Sequence, residues 1–167
     1  PTFSPELIEE DPNIDIICIG EGEYAIQELA DTIDKGGDYT NIQNLWVKRN
    51  GNIYKNKVRP LIEDLDSIPP FDRDLHFKYK HLRNKPFKYF FAGRGCPYKC
   101  TYCLNHAIMD IYKNKGRYIR YRKAESVIKE IKYIKSIALK VVCFADDIFI
   151  LDRKWSLNFL TLYKKEV

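Results

Sequence analysis

Cys96, Cys100 and Cys103 stand within eight positions of one another in the stretch GRGCPYKCTYCLN, residues 93–105. The spacing C-x3-C-x2-C sets three thiols on one short loop, in which Gly95 permits close backbone approach and Pro97 stiffens the turn. Structural cysteines usually sit singly inside strands or helices. Cys18 and Cys143 are placed that way and are expected to serve the core. Three thiolates on a Gly/Pro loop can instead converge on one metal centre, and two kinds of centre suit them. A zinc ion would take His106 as fourth ligand, giving C-x3-C-x2-C-x2-H, and the basic residues from Lys113 to Lys123 would then be available to nucleic acid. A cubane iron–sulfur cluster also needs four ligands, and three cysteines leave one iron open to a substrate or cofactor.

The elements around the loop decide what can face it. FKYFFAG, residues 87–93, reads as an aromatic-rich strand running directly into the cysteines. After the basic stretch, Val127, Ile128, Ile131, Ile134 and Ile137 make one apolar helix face. KVVCFADD then reads as a second buried strand, ending in Asp146 and Asp147, and Trp155, Phe159, Leu162 and Tyr163 outline another amphipathic helix. Two successive β/α units imply parallel strands joined by a right-handed crossover. The loops after both strands then share one edge of the sheet, with neighbouring strands ~4.8 Å apart. The cysteine loop and the Asp146–Asp147 pair are thereby placed to face one ligand.

The first half reads differently. The apolar run from Ile14 to Ile19, closed by Gly20, predicts a buried strand of a parallel sheet. A GEGE turn follows, and from Ala25 the residues Ile26, Leu29, Ala30 and Ile33 predict a helix ended by Gly36 and Gly37. Asn50-Gly51, between alternating residues, predicts a hairpin. VRPLIEDLDSIPPFDRDL, with Pro60, Pro69 and Pro70 and no sustained period, reads as a linker.

Composition narrows the class. The net charge of +5 arises from 28 basic and 23 acidic residues, so the surface is mixed and a nucleic-acid partner is not expected. Five cysteines is an odd number for a disulfide framework. No apolar run approaches the ~18 residues that cross a bilayer, and the acidic N-terminal stretch is unlike a signal peptide, so a cytoplasmic location is expected. The chain starts at Pro1 and its one methionine is Met109, so it is expected to be a fragment of a longer protein.

CPYKCTYC resembles the cluster motif of the radical S-adenosylmethionine (radical SAM) superfamily, with Tyr102 as the aromatic residue before the third cysteine. The resemblance implies that Cys96, Cys100 and Cys103 ligate a 4Fe-4S cluster. It further implies that the fourth iron chelates S-adenosylmethionine, which is cleaved reductively to a 5′-deoxyadenosyl radical. PTFSPELIEEDPNIDIICIGEGEYAIQEL resembles the end of the cobalamin-binding Rossmann-like domain that precedes the radical domain in one class of these enzymes.

The resemblance implies an α/β fold in three parts. Residues 1–58 would end a cobalamin-binding domain, 59–85 would link, and 86–167 would supply the first two β/α units of a partial TIM-type barrel. Gly20, Glu21 and Gly22 would line the cobalamin nucleotide tail, Tyr102 would pack near the adenine, and Asp146, with Asp147, would meet the S-adenosylmethionine ammonium. The sequence departs from the family where a Gly-Gly-Glu-like segment is replaced by ADD. No cobalt-ligating histidine signature is visible, since Asp74 and His76 of DLHFKY lie in the linker. Arg120 and Arg122 resemble arginines that precede the first barrel helix, with a solvated basic loop as the equal alternative.

The implied reaction is methyl transfer or another radical modification of a small-molecule substrate, with an electron-donor protein as partner. With two β/α units, this stretch is expected to be inactive alone. The alternatives are the Cys3His zinc module and a radical methylthiotransferase acting on RNA, which would need a further cluster-binding domain upstream.

Overall fold

The structure, a computed structural model, describes residues 2–137 and 139–167. In chain order the elements are α1 (Leu7–Glu10), β1 (Ile16–Cys18), α2 (Glu23–Asp34), β2 (Leu45–Arg49), β3 (Asn52–Lys55), α3 (Arg73–Phe77), α4 (Lys80–Arg83), β4 (Phe87–Phe90), β5 (Gly93–Arg94), α5 (Asn105–Ile111), β6 (Arg120–Tyr121), α6 (Ala124–Lys135), β7 (Val141–Phe144) and α7 (Arg153–Glu166). They form two compact units: the chain up to Ile62 together with Lys99–Arg117, and Glu63–Tyr98 together with Tyr118–Val167. The cysteine loop therefore passes from one unit to the other between Tyr98 and Lys99.

In the first unit, β1, β2 and β3 form an antiparallel sheet in that order. Asn50 and Gly51 both take positive φ, the geometry of a two-residue hairpin turn, and Arg49 pairs with Asn52 as the NG signal predicts. Alternation along β1 gives the sheet two apolar faces. Ile16 and Cys18 pack with Ala25, Leu45 and Val47, whereas Ile17 and Ile19 join Ile8, Trp46 and Ile53. The expected parallel pairing of β1 is corrected here: Ile16 stands opposite Val47, and Cys18 opposite Leu45, in an antiparallel ladder. After α2 the chain turns at Gly36 (φ +64°), and the segment before β2 brings that strand back against β1 in the opposite direction.

The second unit is built on β4 and β7, which pair in parallel from Phe87 opposite Val141 to Phe90 opposite Phe144. As the sequence pattern predicts, helix α6 lies between them in the chain. Its Val127, Ile128, Ile131 and Ile134 pack with Phe90, Ala92 and Phe159 in one core. Rings tighten this core, with Trp155 stacked on Phe159 at 5.4 Å and Phe144 on Phe149 at 4.2 Å. Asp152 caps α7 by accepting the Trp155 N–H at 2.9 Å. The helices cover one face of this two-stranded sheet. On the other face Phe87, Tyr89, Phe91 and Val141 remain exposed.

The segment read as a linker is ordered locally, with a 3-10 turn at Leu65–Ser67 followed by α3 and α4. It seals the free edge of β4. Arg73 donates to the Tyr89 carbonyl at 2.6 Å and Arg122 to the Phe91 carbonyl at 3.2 Å. Glu130, whose side chain is 8% exposed, pairs with both guanidiniums at 2.8 and 2.7 Å. Arg122 is thus held in an ion-pair network, and Arg120 is 3% exposed, so the solvated-loop alternative for these two arginines is corrected. An unpaired strand edge invites association with other strands, and this network blunts it. No helix among the described residues is long and apolar enough to cross a membrane.

Candidate cluster site

The cysteine loop rises from the end of β4, and its foot is clamped from two sides. On one side β5 pairs with β6, Gly93 opposite Tyr121 and Arg94 opposite Arg120. The approach is close enough that a Cβ on Gly93 would stand 2.7 Å from the Arg120 carbonyl oxygen. At Gly95, with φ +93°, a Cβ would stand 2.4 Å from the Tyr118 carbonyl oxygen. On the other side Asp146, just beyond β7, turns its carboxylate onto the backbone. Its Oδ1 accepts the N–H groups of Ala92 at 3.0 Å and Gly93 at 2.5 Å, and its Oδ2 accepts the Ala92 N–H at 3.1 Å. Burial pushes the Asp146 carboxyl above the ordinary aspartate range, while the bonds from Ala92 and Gly93 pull the other way. Asp147 is exposed.

All three loop cysteines are free thiols. Cys96 is buried, Cys103 is half-buried and Cys100 is exposed. A turn closes the latter pair, with the Cys103 N–H donating to the Cys100 carbonyl at 3.0 Å. Tyr102 projects into solvent, 90% exposed. Among the described residues no three His, Cys, Asp or Glu side chains are gathered as a ready metal site. As a donor set, three reduced thiols on one loop fit a soft, thiolate-bound centre such as an iron–sulfur cluster. His106, on α5, keeps its Nδ1 buried with no hydrogen-bond partner among the described residues. Cys18 and Cys143 are both half-buried, and burial raises the Cys18 thiol above its ordinary pKa.

The GEGE turn belongs to the first unit, and residues the sequence reading passed over hold it in place. Tyr112, which caps α5, accepts the Glu21 N–H on its hydroxyl at 2.5 Å. Asn44, fully buried, donates to the carbonyls of Ile19 at 2.7 Å and Glu21 at 3.0 Å. The Glu21 carboxylate accepts the Ile62 N–H at 2.9 Å. No periodicity marks Asn44 or Tyr112; for Asn44 the usable signal is an amide side chain just before a strand, a residue type that tolerates the positive φ of 72° found there.

Gly20 has φ +78°, and a Cβ there would meet the Tyr112 hydroxyl at 1.9 Å. A non-glycine residue in that region costs ~1–3 kcal/mol, and the clash adds to it. Gly20→Ala is therefore expected to destabilise the first unit by at least that much. Faster hydrogen exchange of the Ile16–Cys18 amides would register the loss.

Beside the loop foot, a cavity of about 580 Å³ opens within the second unit. Pro69, Pro70, Phe71, Phe87, Tyr89 and Phe91 give it apolar walls, and Gly93 and Arg94 lie at its margin.

No protein-family model matches the chain. Over 169 aligned residues it is 34% identical to an uncharacterized methyltransferase of Pyrococcus horikoshii, covering 99% of this chain and 35% of that protein. Its fold matches that of OxsB, a cobalamin-dependent S-adenosylmethionine radical enzyme solved with aqua-cobalamin and S-adenosylmethionine bound. The TM-score is 0.73 at 24% identity, covering 100% of this chain and 24% of that one. It also matches TsrM, a radical S-adenosylmethionine methyltransferase from Kitasatospora setae solved with cobalamin and a [4Fe-4S] cluster. There the TM-score is 0.65 at 20% identity, covering 96% of this chain and 31% of that one. The chain thus spans about a quarter to a third of the length of these proteins. Over 99% of its length it is a relative of the Pyrococcus methyltransferase, and in fold it stands with the cobalamin-dependent radical SAM enzymes.

Proposed function

We propose that this chain forms the part of a cobalamin-dependent radical SAM enzyme in which the cobalamin-binding domain ends and the radical barrel begins. The observation that carries the reading is the loop of three free cysteines at C-x3-C-x2-C, set at the end of a parallel strand in a fold shared with OxsB and TsrM. Residues 1–58 are assigned to the end of the cobalamin-binding domain, 59–85 to the linker and 86–167 to the first two β/α units of the barrel. The parallel β4–β7 pair, covered by helices on one face and apolar on the other, is what two neighbouring staves of such a barrel require.

In this assignment Cys96, Cys100 and Cys103 hold the cluster through thiolates. The cluster, once bound, would supply the electron that cleaves S-adenosylmethionine. Around it the chain's own groups bind and orient. Of the acidic pair, exposed Asp147 offers its carboxylate to the methionyl ammonium, while Asp146 is anchored on the loop foot. Tyr102, exposed beside Cys103, supplies a ring for the adenine. Gly20, Glu21 and Gly22, held at the end of β1 by Tyr112 and Asn44, are assigned to the wall along which the cobalamin tail would lie. Methyl transfer to a small-molecule substrate is the reaction, with a cytoplasmic electron-donor protein as partner.

Metal analysis of the intact, anaerobically reconstituted protein tests this. About four irons and four sulfides, with broad visible absorption, are expected. His106→Ala separates the zinc alternative: iron and sulfide content should be unchanged, whereas a Cys3His centre would lose its metal. Stoichiometric zinc without visible absorption overturns the assignment.

A further inference from the structure

We infer that Asp146 is a positioning residue for the cluster loop, acting through the backbone of Ala92 and Gly93 rather than by touching S-adenosylmethionine; the inference rests on the cluster reading above. The geometry is specific. Three hydrogen bonds of 2.5 to 3.1 Å tie one carboxylate to two successive N–H groups, which lie three and four residues before Cys96. β5 leaves the sheet at this point, so those N–H groups have no partner in the β4–β7 ladder, whose last rung is the bond from the Ala145 N–H to the Phe90 carbonyl at 3.0 Å. Asp146 follows that rung directly and extends the strand pairing through its side chain.

The opposite side of the same segment cannot shift either. The Arg122 N–H donates to the Ala92 carbonyl at 2.7 Å, and the Gly93 and Gly95 backbones lie flush against Arg120 and Tyr118. Residues 92–95 are therefore held from both sides, and the direction in which the chain enters Cys96 is fixed. A carboxylate that accepts backbone N–H bonds in a partly buried place makes charge-assisted contacts, about twice as strong as neutral ones. Asparagine keeps the shape but loses the charge, and its amide group puts a donor where Oδ2 accepts the Ala92 N–H. The neighbouring Asp147 is exposed and makes none of these bonds, so the two acidic residues divide between support and ligand.

Asp146→Asn and Asp147→Asn, each in the intact reconstituted protein, test the division. Asp146→Asn is expected to assemble its cluster and keep the thermal midpoint, but to lose iron to EDTA about tenfold faster than the parent. It is also expected to show altered electron paramagnetic resonance of the reduced cluster. Asp147→Asn is expected to keep parental iron retention and spectrum while binding S-adenosylmethionine more weakly. Asp146→Ala should show the same accelerated iron loss, and Asp146→Glu should not restore the parental rate, because the longer side chain misplaces both oxygens. Parental iron retention and spectrum in Asp146→Asn overturn the inference, whatever happens to S-adenosylmethionine affinity. A parent protein that takes up no cluster overturns the functional reading instead.

Discussion

Alanine at Cys96, Cys100 or Cys103 is expected to reduce the iron content of the intact protein from about four per chain to nearly none. Each substitution removes one thiolate of three, and the two that remain cannot hold a cubane that already has one iron without a protein ligand. The three positions should not fail for the same local reason. Cys96 is buried at the fixed foot of the loop, so its loss removes the ligand with the least freedom. Cys100 is exposed and tied to Cys103 by a turn, so its loss removes a ligand that the metal itself must order. Iron and sulfide assays on the three variants, with Cys18→Ala and Cys143→Ala as controls, check the result. The controls should keep full iron, and a variant of Cys96, Cys100 or Cys103 that also keeps it removes that residue from the ligand set.

Glu130→Ala is expected to cost the second unit ~3–5 kcal/mol, the loss associated with leaving buried charges uncompensated. The carboxylate is 8% exposed and stands between the guanidiniums of Arg73 and Arg122, which are 11% and 19% exposed. Without it, two cations face each other beside the carbonyls of Tyr89 and Phe91, and Asp66, at 3.7 Å from Arg122, is the acid that remains on that side. Because whole domains are stable by only ~5–15 kcal/mol, such a loss brings this unit near its threshold. Urea unfolding followed through Trp155, whose indole N–H donates to the Arg122 carbonyl at 2.7 Å, reads the shift directly. Glu130→Gln, which keeps an acceptor oxygen but not the charge, should fall between the two. An unchanged midpoint in Glu130→Ala would show that the network contributes nothing to folding.

The two β/α units were legible because their signals are periodic and local. The spacing of Val127, Ile128, Ile131 and Ile134 makes a helix face whatever it packs against, and the aromatic strand leading into the cysteines alternates between core and open face. Asn50-Gly51 carried the hairpin in the same way. What escaped was the long-range part. The antiparallel partner of β1 lies across a helix and a loop, and a continuous apolar run does not state its direction. β5 and β6 are two residues each and exist because Gly93 and Gly95 let two backbones meet, which no propensity reports. Helix α5 has seven residues and follows the cysteines without a side-chain cap to announce it.

The candidate site divides along the same line. The cysteine spacing pointed to a thiolate centre, and the solved neighbours carry the cobalamin, S-adenosylmethionine and cluster that the motif resemblance implied. The bonds from Asp146 to Ala92 and Gly93, by contrast, join residues more than fifty positions apart. Sequence order shows that this carboxylate reaches the right edge of the sheet, but its backbone partners become visible only once the strands are paired.

The bare face of the β4–β7 sheet also bears on how the polypeptide behaves in a tube. Phe87, Tyr89, Phe91 and Val141 are between 38% and 58% exposed and lie at alternating or directly paired positions, so their surfaces merge into one greasy patch. Such a patch gathers detergent and hydrophobic dyes. The 167-residue polypeptide purified by itself should bind such a dye strongly, scatter light as its concentration rises, and clear again when a mild detergent is added. Its yield will then be governed by colloidal behaviour before any question of folding arises.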